Sequence, residues 1–384
     1  MSEIRVDTIS EKTSGSGTTV SNLKNPGSLG RNLIINGDMS IFQRATATTT
    51  ATSGNYTTVD RFLFYESTDG VYSTEKEDLS AADQATTGQR TALQCDVTTA
   101  DGTIGAAQFA AIYQRIEAQM LQHLHYGTSA AKNLTLSFWV KSNKTGTYCV
   151  AIVKDDSTAY YLPIEYTISS ANTWEKKVIN ISPTAGSTSL ITGANGAITD
   201  DNGIGLFIWW TLAAGSDFQG TNNTWTSSEK YTTSDQVNWL DSTSNNFHIT
   251  GIQLEIGDAA TDFEYLPHDI NLLRCQRYYF QITPAQYDPM TIGASNGTDN
   301  CISHIFFPVE MRGDTSLGTS GTASDYVIYE AGTVHTCSAV PQANTINNLG
   351  MRMIFASDGN LAAGNAAENL PYNTSALLKF NAEL

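Results

Sequence analysis

Two apolar segments that lie roughly 200 residues apart most constrain the fold of this chain. The first is Arg31-Asn-Leu-Ile-Ile-Asn-Gly-Asp-Met-Ser-Ile-Phe-Gln-Arg44, and the second is Phe247-His-Ile-Thr-Gly-Ile-Gln-Leu-Glu-Ile-Gly-Asp258. Each begins with a strand-like apolar run that a glycine interrupts. Such runs predict strands when turn residues bound them. We therefore expect the two segments to be the first and last strands of one antiparallel sandwich, paired across a long intervening chain.

The intervening chain reads mostly as short strands. Four of these segments are rich in aromatic and β-branched residues, at 59–65, 134–141, 146–153 and 174–181. The run Gly205-Leu-Phe-Ile-Trp-Trp-Thr-Leu212 is apolar at every second and at every intervening position. Apolar residues would therefore point to both faces of a strand, which predicts a central strand that is covered on both faces.

One segment has helical spacing. Between Gln108 and Leu124, the residues Ile112, Ile116, Met120 and Leu124 recur every four positions. We expect this segment to be a helix that caps one end of the sandwich.

Length and composition exclude several classes of protein. A chain of 384 residues is long enough for two domains and a tail. Its net charge of −17 argues against a nucleic-acid partner, since contacts to phosphates need clustered Lys and Arg. Only 15% of the residues are charged, which is typical of all-β shells and fibres. We expect no cofactor.

The cysteines and apolar runs indicate a protein made in a reducing cytosol. The cysteines have no paired spacing and are expected to be buried thiols: Cys95, Cys149, Cys275, Cys301 and Cys337. The first residues lack the apolar core of a secretory signal. The longest apolar run, 204–214, is too short to span a bilayer, which takes about 20 residues.

Composition changes along the chain predict four parts. Residues 1–30 are polar, with sparse Ile and Val, and are expected to be an extended anchor segment that orders against a partner. A frayed terminus is the alternative. The sandwich is expected over 31–268, a connector with a short helix over 269–280, and a small second sandwich over 281–384.

The two segments, in this order, resemble a module of bacteriophage tail fibres and other virion appendages, which is itself similar to jelly-roll carbohydrate-binding domains. The resemblance covers roughly residues 31–280. A later succession, Cys275-Gln-Arg-Tyr-Tyr279 followed by Phe307-Pro-Val-Glu-Met-Arg312, resembles the C-terminal parts of phage fibres. The resemblance implies a virion location, homotrimerisation with a distal tip formed by the second sandwich, and adhesion instead of catalysis.

A long loop, 216–246, carries the residue types that sugars contact. Sugars stack their C–H faces on aromatic rings, and their hydroxyls bind amides and carboxylates. The candidate carbohydrate-binding residues are Trp225, Tyr231, Asp235, Asn238 and Trp239. The alternative is that the tryptophans pin the loop to the sandwich, which the resemblance favours for Trp225. The remaining tryptophans lie in strand patterns and are expected to pack within the sheets.

The sequence carries no enzymatic signature, so we expect no catalytic residues. The acid pairs are expected to be solvated loop charges: Asp155-Asp156, Asp200-Asp201, and Glu75 with Glu77 and Asp78. The pair His123 and His125 lies at a predicted helix end, where imidazoles cap the helix without a metal ion.

A calcium ion is common near the first and last strands of the related carbohydrate-binding jelly rolls. Asp38 and Glu255 lie in the corresponding segments here. However, Ser40 or Ile41, and also Gly251, replace acids that those domains carry. We therefore predict no metal site.

These observations favour a structural virion protein, a tail-fibre or appendage subunit that attaches to host surface glycans. Its expected partners are further copies of itself, other virion proteins through residues 1–30, and a host glycan, without nucleic acid and without membrane insertion. The alternative is a capsid decoration or connector protein that binds no receptor. A polysaccharide-cleaving enzyme would need a secretory signal and a catalytic carboxylate pair, neither of which is visible.

Overall fold

The computed structural model describes residues 30–48, 50, 54–319 and 321–384. The anchor predicted for residues 1–30 lies outside these residues, apart from Gly30. Strands in the described residues form four antiparallel sheets, which make two successive sandwiches. The expected fold class, an all-β jelly-roll sandwich followed by a smaller β-sandwich, is confirmed.

The first sandwich contains eleven strands and one short α-helix. In chain order they are β1 (Ala47–Thr48), β2 (Leu63–Glu66), β3 (Val71–Asp78), α1 (Ala81–Thr87), β4 (Thr91–Thr99), β5 (Phe109–Glu117), β6 (Leu134–Ser142), β7 (Gly146–Lys154), β8 (Tyr160–Ile168), β9 (Glu175–Ile181), β10 (Ile204–Ala214) and β11 (Asn246–Ile256). One sheet has the order β1-β3-β4-β11-β6-β9, and the other has the order β2-β5-β10-β7-β8. As predicted, β10 is the central strand of its sheet. The 3₁₀ helices of this sandwich lie at Ala118–Leu124, Ala185–Ser187, Ala194–Gly196, Ser216–Phe218 and Trp239–Asp241.

The helix predicted for 108–124 is wrong. Residues Phe109–Glu117 form β5, and only Ala118–Leu124 is helical, as a 3₁₀ helix. In β5 the residues alternate between two covered sides, so that Ile112 and Ile116 face the core. Residues four positions apart lie on one face of a helix and also on one face of a strand. Because this segment pairs with β10, it forms a strand.

The segment 31–44 lies beside β11, as expected, but it is not a regular strand. Leu33 donates its backbone N–H to the Leu254 carbonyl (2.9 Å), and Ile252 donates to the carbonyl of Gly37 (2.8 Å). Asn36 has a φ of 61°, which interrupts the extended backbone. These hydrogen bonds reach β11 where the pairing of β11 with β6 is irregular, between Thr250 and Gln253.

The second sandwich begins after a connecting helix. The helix is α2 (His268–Gln276), at the predicted position, and the strands are β12 (Tyr279–Ile282), β13 (Thr291–Ser295), β14 (Asn300–Phe306), β15 (Ser316–Thr319), β16 (Tyr326–Glu330), β17 (Thr333–Thr336), β18 (Gln342–Ile346), β19 (Gly350–Ala356), β20 (Ala366–Pro371) and β21 (Leu378–Asn381). A 3₁₀ helix lies at Ala323–Asp325. The sheets have the orders β12-β21-β15 and β17-β16-β20-β13-β14-β19-β18.

Each sandwich has its own hydrophobic core. The core of the first includes Ile112, Phe138 and Trp210, and that of the second includes Met353, Phe355 and Phe380. The five cysteines are buried and unpaired, as predicted. Among the residues that the structure describes, helices long and apolar enough to cross a membrane are absent.

Candidate functional site

The five-stranded sheet carries side chains on two covered faces. Across β5 and β10, Ile112 lies opposite Trp210, and Tyr113 lies opposite Trp209. Neighbouring residues of a strand point to opposite faces. The first pair therefore enters the main core, whereas Tyr113 and Trp209 belong to a separate apolar cluster on the outer side of the sheet. We call this outer side the aromatic face.

The aromatic face is a row of stacked rings. The ring of Trp209 stacks on Tyr113, with centroids 4.5 Å apart, and on Tyr231, with centroids 4.4 Å apart. Tyr161 of β8 then meets Tyr231 edge-on at 5.5 Å. Stacked and edge-to-face rings stabilise one another beyond the area that they bury. The row is consequently a rigid apolar platform that runs across the sheet.

Only the border of this platform is open to solvent. Trp209 is 4% exposed and Phe207 is 8% exposed. The residues that surround them are half-buried, and these are Tyr56, Tyr65, Phe109, Tyr161, Ile204 and Phe218. A ligand would therefore contact the half-buried rings first.

Charged groups lie beside the open border near Tyr161. Burial raises the pKa of Asp155, and the nearby Arg115 opposes that shift. Burial, together with the charges of Glu229 and Asp155, raises the pKa of the Tyr161 hydroxyl. The carboxylate of Glu229 also accepts a hydrogen bond from Tyr231 (2.7 Å). This border combines an apolar ring surface with hydrogen-bond donors and acceptors.

A polar cleft adjoins the aromatic face where the two sandwiches meet. Its volume is about 360 Å³, and its lining includes Arg44, Asn55, Tyr56, Arg312, Asp314 and Asn381. Tyr56 also belongs to the aromatic face. The cleft is within the size range of small-ligand sites, which is about 300–1,000 Å³.

Ion pairs hold the walls of this cleft together. Glu383 of the second sandwich accepts hydrogen bonds from Arg44 (2.9 Å) and from the fully buried Arg61. On the other side of the junction, Arg277 binds both carboxylate oxygens of Glu117, at 2.8 and 2.9 Å. Bidentate pairs of this kind fix orientation as well as adding energy. Charged contacts thereby join the first sandwich to the second sandwich at Glu383 and to the connecting segment at Arg277.

The structure distributes the predicted site residues over different surroundings. Trp225 and Trp239 pack in the main core and donate their indole N–H groups to the carbonyls of Ser182 (2.8 Å) and Asn246 (3.0 Å). Tyr231 lies on the aromatic face. The burial of Trp225 and Trp239 corresponds to the alternative in which they pin the loop.

The two polar residues of the predicted set, Asn238 and Asp235, contact other parts of the protein. Asn238 accepts from the backbone N–H of Leu240 (3.0 Å), which starts the 3₁₀ helix Trp239–Asp241, and its amide donates to the Asp101 carbonyl (2.8 Å). Asp235 is exposed. The five residues are not assembled into one groove.

Sequence reasoning missed Tyr113, Tyr161 and Trp209 as residues of a possible binding surface. Tyr113 was hidden by the wrong helix assignment, and Trp209 was expected to pack within the sheets. The signal that was available is the alternation in β10, where Phe207 and Trp209 share one side and Ile208 and Trp210 share the other.

Several of the acids considered from the sequence have protein contacts. Asp201 accepts hydrogen bonds from Thr199 (2.9 Å) and from the backbone N–H of Gly203 (2.7 Å), as expected of a loop charge. Glu75, Glu77 and Asp78 do not lie in a loop; they are part of β3. Burial alone would raise the pKa of Glu77, but hydrogen bonds from His248 and Lys141 lower it. Groups of three or more potential metal ligands are absent from the described part of the chain.

The residues considered for calcium make protein contacts. Glu255 accepts from the hydroxyl of Thr261 (2.7 Å) and from Gln253 (2.8 Å), and Arg31 lies 3.5 Å from it. Asp38 accepts from the amide of Asn271 (3.1 Å). Both carboxylates therefore serve as hydrogen-bond acceptors within the protein.

No protein-family profile matches the sequence, and no curated protein matches it. Three solved structures are similar to this chain, and each has 15% sequence identity to it or less. A Bacteroides thetaiotaomicron protein described as sugar binding is 15% identical, with a TM-score of 0.33, over 59% of this chain and 100% of its own. The enzymatically active domain of bacteriophage CBA120 tailspike protein 4 is 12% identical, with a TM-score of 0.29, over 59% of this chain and 22% of its own. The family 11 carbohydrate-binding module from Clostridium thermocellum is 14% identical, with a TM-score of 0.26, over 56% of this chain and 99% of its own.

Proposed function

We propose that this chain is a structural virion protein, a subunit of a phage tail fibre or comparable appendage, that attaches to host surface glycans. The observation that carries the proposal is the aromatic face of the five-stranded sheet with charged groups at its border. The resemblance of the segments 31–44 and 247–258 to appendage modules supports the virion location.

The chemistry of a glycan fits the open border of the aromatic face. The half-buried ring of Tyr161 offers an apolar surface for the C–H face of a sugar. Asp155 and Glu229 accept hydrogen bonds from sugar hydroxyls, and Arg115 donates to them. The adjoining polar cleft extends the same surface toward the second sandwich, so that it accommodates more than one sugar unit.

Attachment through such a surface depends on several copies. The resemblance implies a homotrimer, and a virion carries several appendages. Several weak sites that bind together give an avidity far above the affinity of one site. The proposal includes binding without cleavage, so the assembled protein releases no reducing sugar from host polysaccharide.

The test is a glycan array followed by titration of the best ligand. The fluorescently labelled full chain is expected to bind a subset of host surface glycans. Tyr161→Ala removes a half-buried ring at the border of the aromatic face and is expected to weaken binding about tenfold, a loss of about 1.4 kcal/mol. The matched control is Tyr372→Ala, which removes a tyrosine that is 48% exposed in the second sandwich.

Two results would count against the proposal. Absence of binding to any host glycan would leave the decoration or connector protein as the better explanation. If Tyr161→Ala and Tyr372→Ala weakened glycan binding equally, the aromatic face would not be the binding surface. Labelling the protein on intact particles then tests its place on the virion.

A further inference from the structure

The second sandwich has a depression at one edge of its seven-stranded sheet. It lies over β14, β19 and the turn that joins β18 to β19, and its volume is about 410 Å³. Phe306 of β14 lies opposite Gly350 of β19, which has no side chain to fill the space beside the ring. Phe306 is 84% exposed, and Leu349, which also borders the depression, is 59% exposed. We call this depression the edge pocket.

The polar residues of the edge pocket are basic or neutral. His304 of β14 lies opposite Arg352 of β19, and Arg352 lies opposite Thr345 of β18, so that the three stand in one row across the strands. The described residues that line the pocket include neither Asp nor Glu. In a chain with a net charge of −17, a basic lining of this kind favours an anionic ligand.

The guanidinium of Arg352 is not engaged by the rest of the described chain. Its Nε is buried and has no hydrogen-bond partner there. Its two terminal nitrogens also have no such partner, and they are not buried. A buried donor without an acceptor is unfavourable, and a ligand that supplies the acceptor removes that cost. Arg352 is therefore the group around which a ligand would be held.

The turn between β18 and β19 holds a second hydrogen-bond donor in place. The side-chain oxygen of Asn347 accepts from the backbone N–H groups of Leu349 (2.8 Å) and Gly350 (2.9 Å). These two bonds fix the orientation of the amide. Its Nδ2 has no hydrogen-bond partner among the described residues, so both N–H groups remain available to a ligand.

We infer that the edge pocket binds a carboxylated sugar, a hexuronic acid residue. The planar guanidinium of Arg352 matches a carboxylate, which accepts two parallel N–H bonds from it. The exposed ring of Phe306 offers an apolar surface to the C–H face of the sugar. Asn347 and His304 form hydrogen bonds with the sugar hydroxyls. The volume of the pocket is within the range of small-ligand sites.

A carboxylate fits the edge pocket better than a phosphate. Arg352 is the one permanently charged cation in the described lining, and a carboxylate carries one negative charge. A phosphate monoester carries about 1.5 to 2 negative charges at neutral pH. Glu310 lies beside the pocket, where its carboxylate accepts from the amide of Asn348 (2.5 Å), and its charge opposes the extra charge of a phosphate.

The edge pocket is separate from the aromatic face, which belongs to the five-stranded sheet of the first sandwich. The inference adds a second site and a second class of ligand, and it does not rest on the proposed function. The two are tested by different ligands and by variants in different sandwiches.

The test is a ligand-observed NMR titration of the full chain with three sugars that differ at one position. D-glucuronic acid carries a carboxylate there, D-glucose a hydroxymethyl group and D-glucose 6-phosphate a phosphate ester. D-glucuronic acid is expected to bind at least about tenfold more tightly than D-glucose, since only its carboxylate pairs with Arg352. D-glucose 6-phosphate is expected to bind more weakly than D-glucuronic acid.

Charge variants test the role of Arg352. Arg352→Gln is expected to weaken the binding of D-glucuronic acid at least about tenfold. Arg352→Lys keeps the charge but loses the fork, so its affinity is expected to lie between those of Arg352→Gln and wild type. The matched control is Lys176→Gln, which removes an exposed cation of β9 and is expected to leave the affinity unchanged.

A ring variant tests the apolar side of the pocket. Phe306→Ala is expected to weaken the binding of D-glucuronic acid about fivefold, and Tyr372→Ala, at another exposed ring of the second sandwich, is expected to have no effect. Thermal unfolding checks that each variant is folded. Absence of D-glucuronic acid binding, unchanged affinity of Arg352→Gln, or tighter binding of D-glucose 6-phosphate would overturn the inference. Glycan-array binding that Tyr161→Ala weakens would leave the proposed function standing in each of these cases.

Discussion

Asp60 is a carboxylate that the fold buries at the junction of the two sandwiches. Its side chain is 1% exposed, and it accepts a hydrogen bond from the backbone N–H of Gln43 (3.1 Å). Arg44 lies 3.4 Å away. Burial raises the pKa of Asp60 to about 6, and the contacts with Arg44 and Gln43 offset only part of this shift.

The raised pKa predicts a stability that falls with rising pH. The folded state binds the proton of Asp60 more tightly than the unfolded chain does. The contribution of this proton to the free energy of unfolding is therefore complete below about pH 4 and is lost by about pH 6. We expect wild type to lose about 3 kcal/mol of unfolding free energy across that window relative to Asp60→Asn. Urea unfolding of both proteins at about pH 4 and about pH 7 measures the difference. A difference that does not change with pH would refute the assignment.

Gly37 illustrates a residue whose role depends on a distant segment. A Cβ atom at this position would lie 2.0 Å from the carbonyl oxygen of Ile252. Its φ is not positive, so the requirement for glycine comes from the close approach of β11 and not from the backbone conformation. The positive φ at this point of the chain belongs to the preceding residue, Asn36, with a φ of 61°.

At the scale of elements, the long loop 216–246 is braced by its own side chains. Trp225 is 2% exposed, and its indole N–H donates to the carbonyl of Ser182. Gln236 accepts from the backbone N–H of Cys149 (2.7 Å), which fastens the loop to β7. Long loops in compact domains are usually functional or supported by their neighbours, and the side chains of this one support it.

Truncation of Trp225 tests that interpretation. Trp225→Ala is expected to lower the unfolding free energy by about 3–5 kcal/mol, because it leaves a cavity in the core and an unpaired carbonyl at Ser182. Asp235→Ala in the same loop is the control and is expected to change stability by less than about 0.5 kcal/mol. Denaturant unfolding measures both. If Trp225→Ala kept full stability but lost glycan binding, the sugar-contact alternative would be right instead.

The strand β5 shows how an element escapes prediction. Its residues Ile112 and Ile116 have helical spacing, but the positions between them, including Tyr113, are also covered. Sequence alone cannot supply the second covering layer, which comes from Trp209 of β10 and from Tyr231 of the loop. A strand covered on both faces has no clear period, so the local pattern was ambiguous.

At the scale of the molecule, the two sandwiches are joined by buried charges. Arg61 has no exposed side-chain surface, and its guanidinium lies 3.4 Å from the ring centre of Tyr278. Glu383, which is 322 residues away in the chain, supplies the opposite charge. A buried arginine that loses its carboxylate keeps its desolvation cost without compensation.

Removal of that carboxylate is expected to uncouple the sandwiches. Glu383→Gln keeps the shape but leaves Arg61 unpaired, with an expected loss of about 3–5 kcal/mol. Scanning calorimetry is expected to show the second sandwich unfolding before the first. Glu310→Gln, at an exposed glutamate without an ion pair in the described chain, is expected to behave as wild type. An unchanged calorimetric profile for Glu383→Gln would mean that the junction is held by its apolar contacts.

The sequence by itself determined the all-β class, the central position of β10, the connecting helix α2 and the buried cysteines. These follow from local composition and periodicity, which the chain carries in neighbouring residues. It identified one residue of the aromatic face, Tyr231, but not Tyr113, Tyr161 or Trp209. Only the tertiary structure decided which faces are covered, which rings stack and which charges pair. These contacts join residues far apart in the chain, and no local pattern records them.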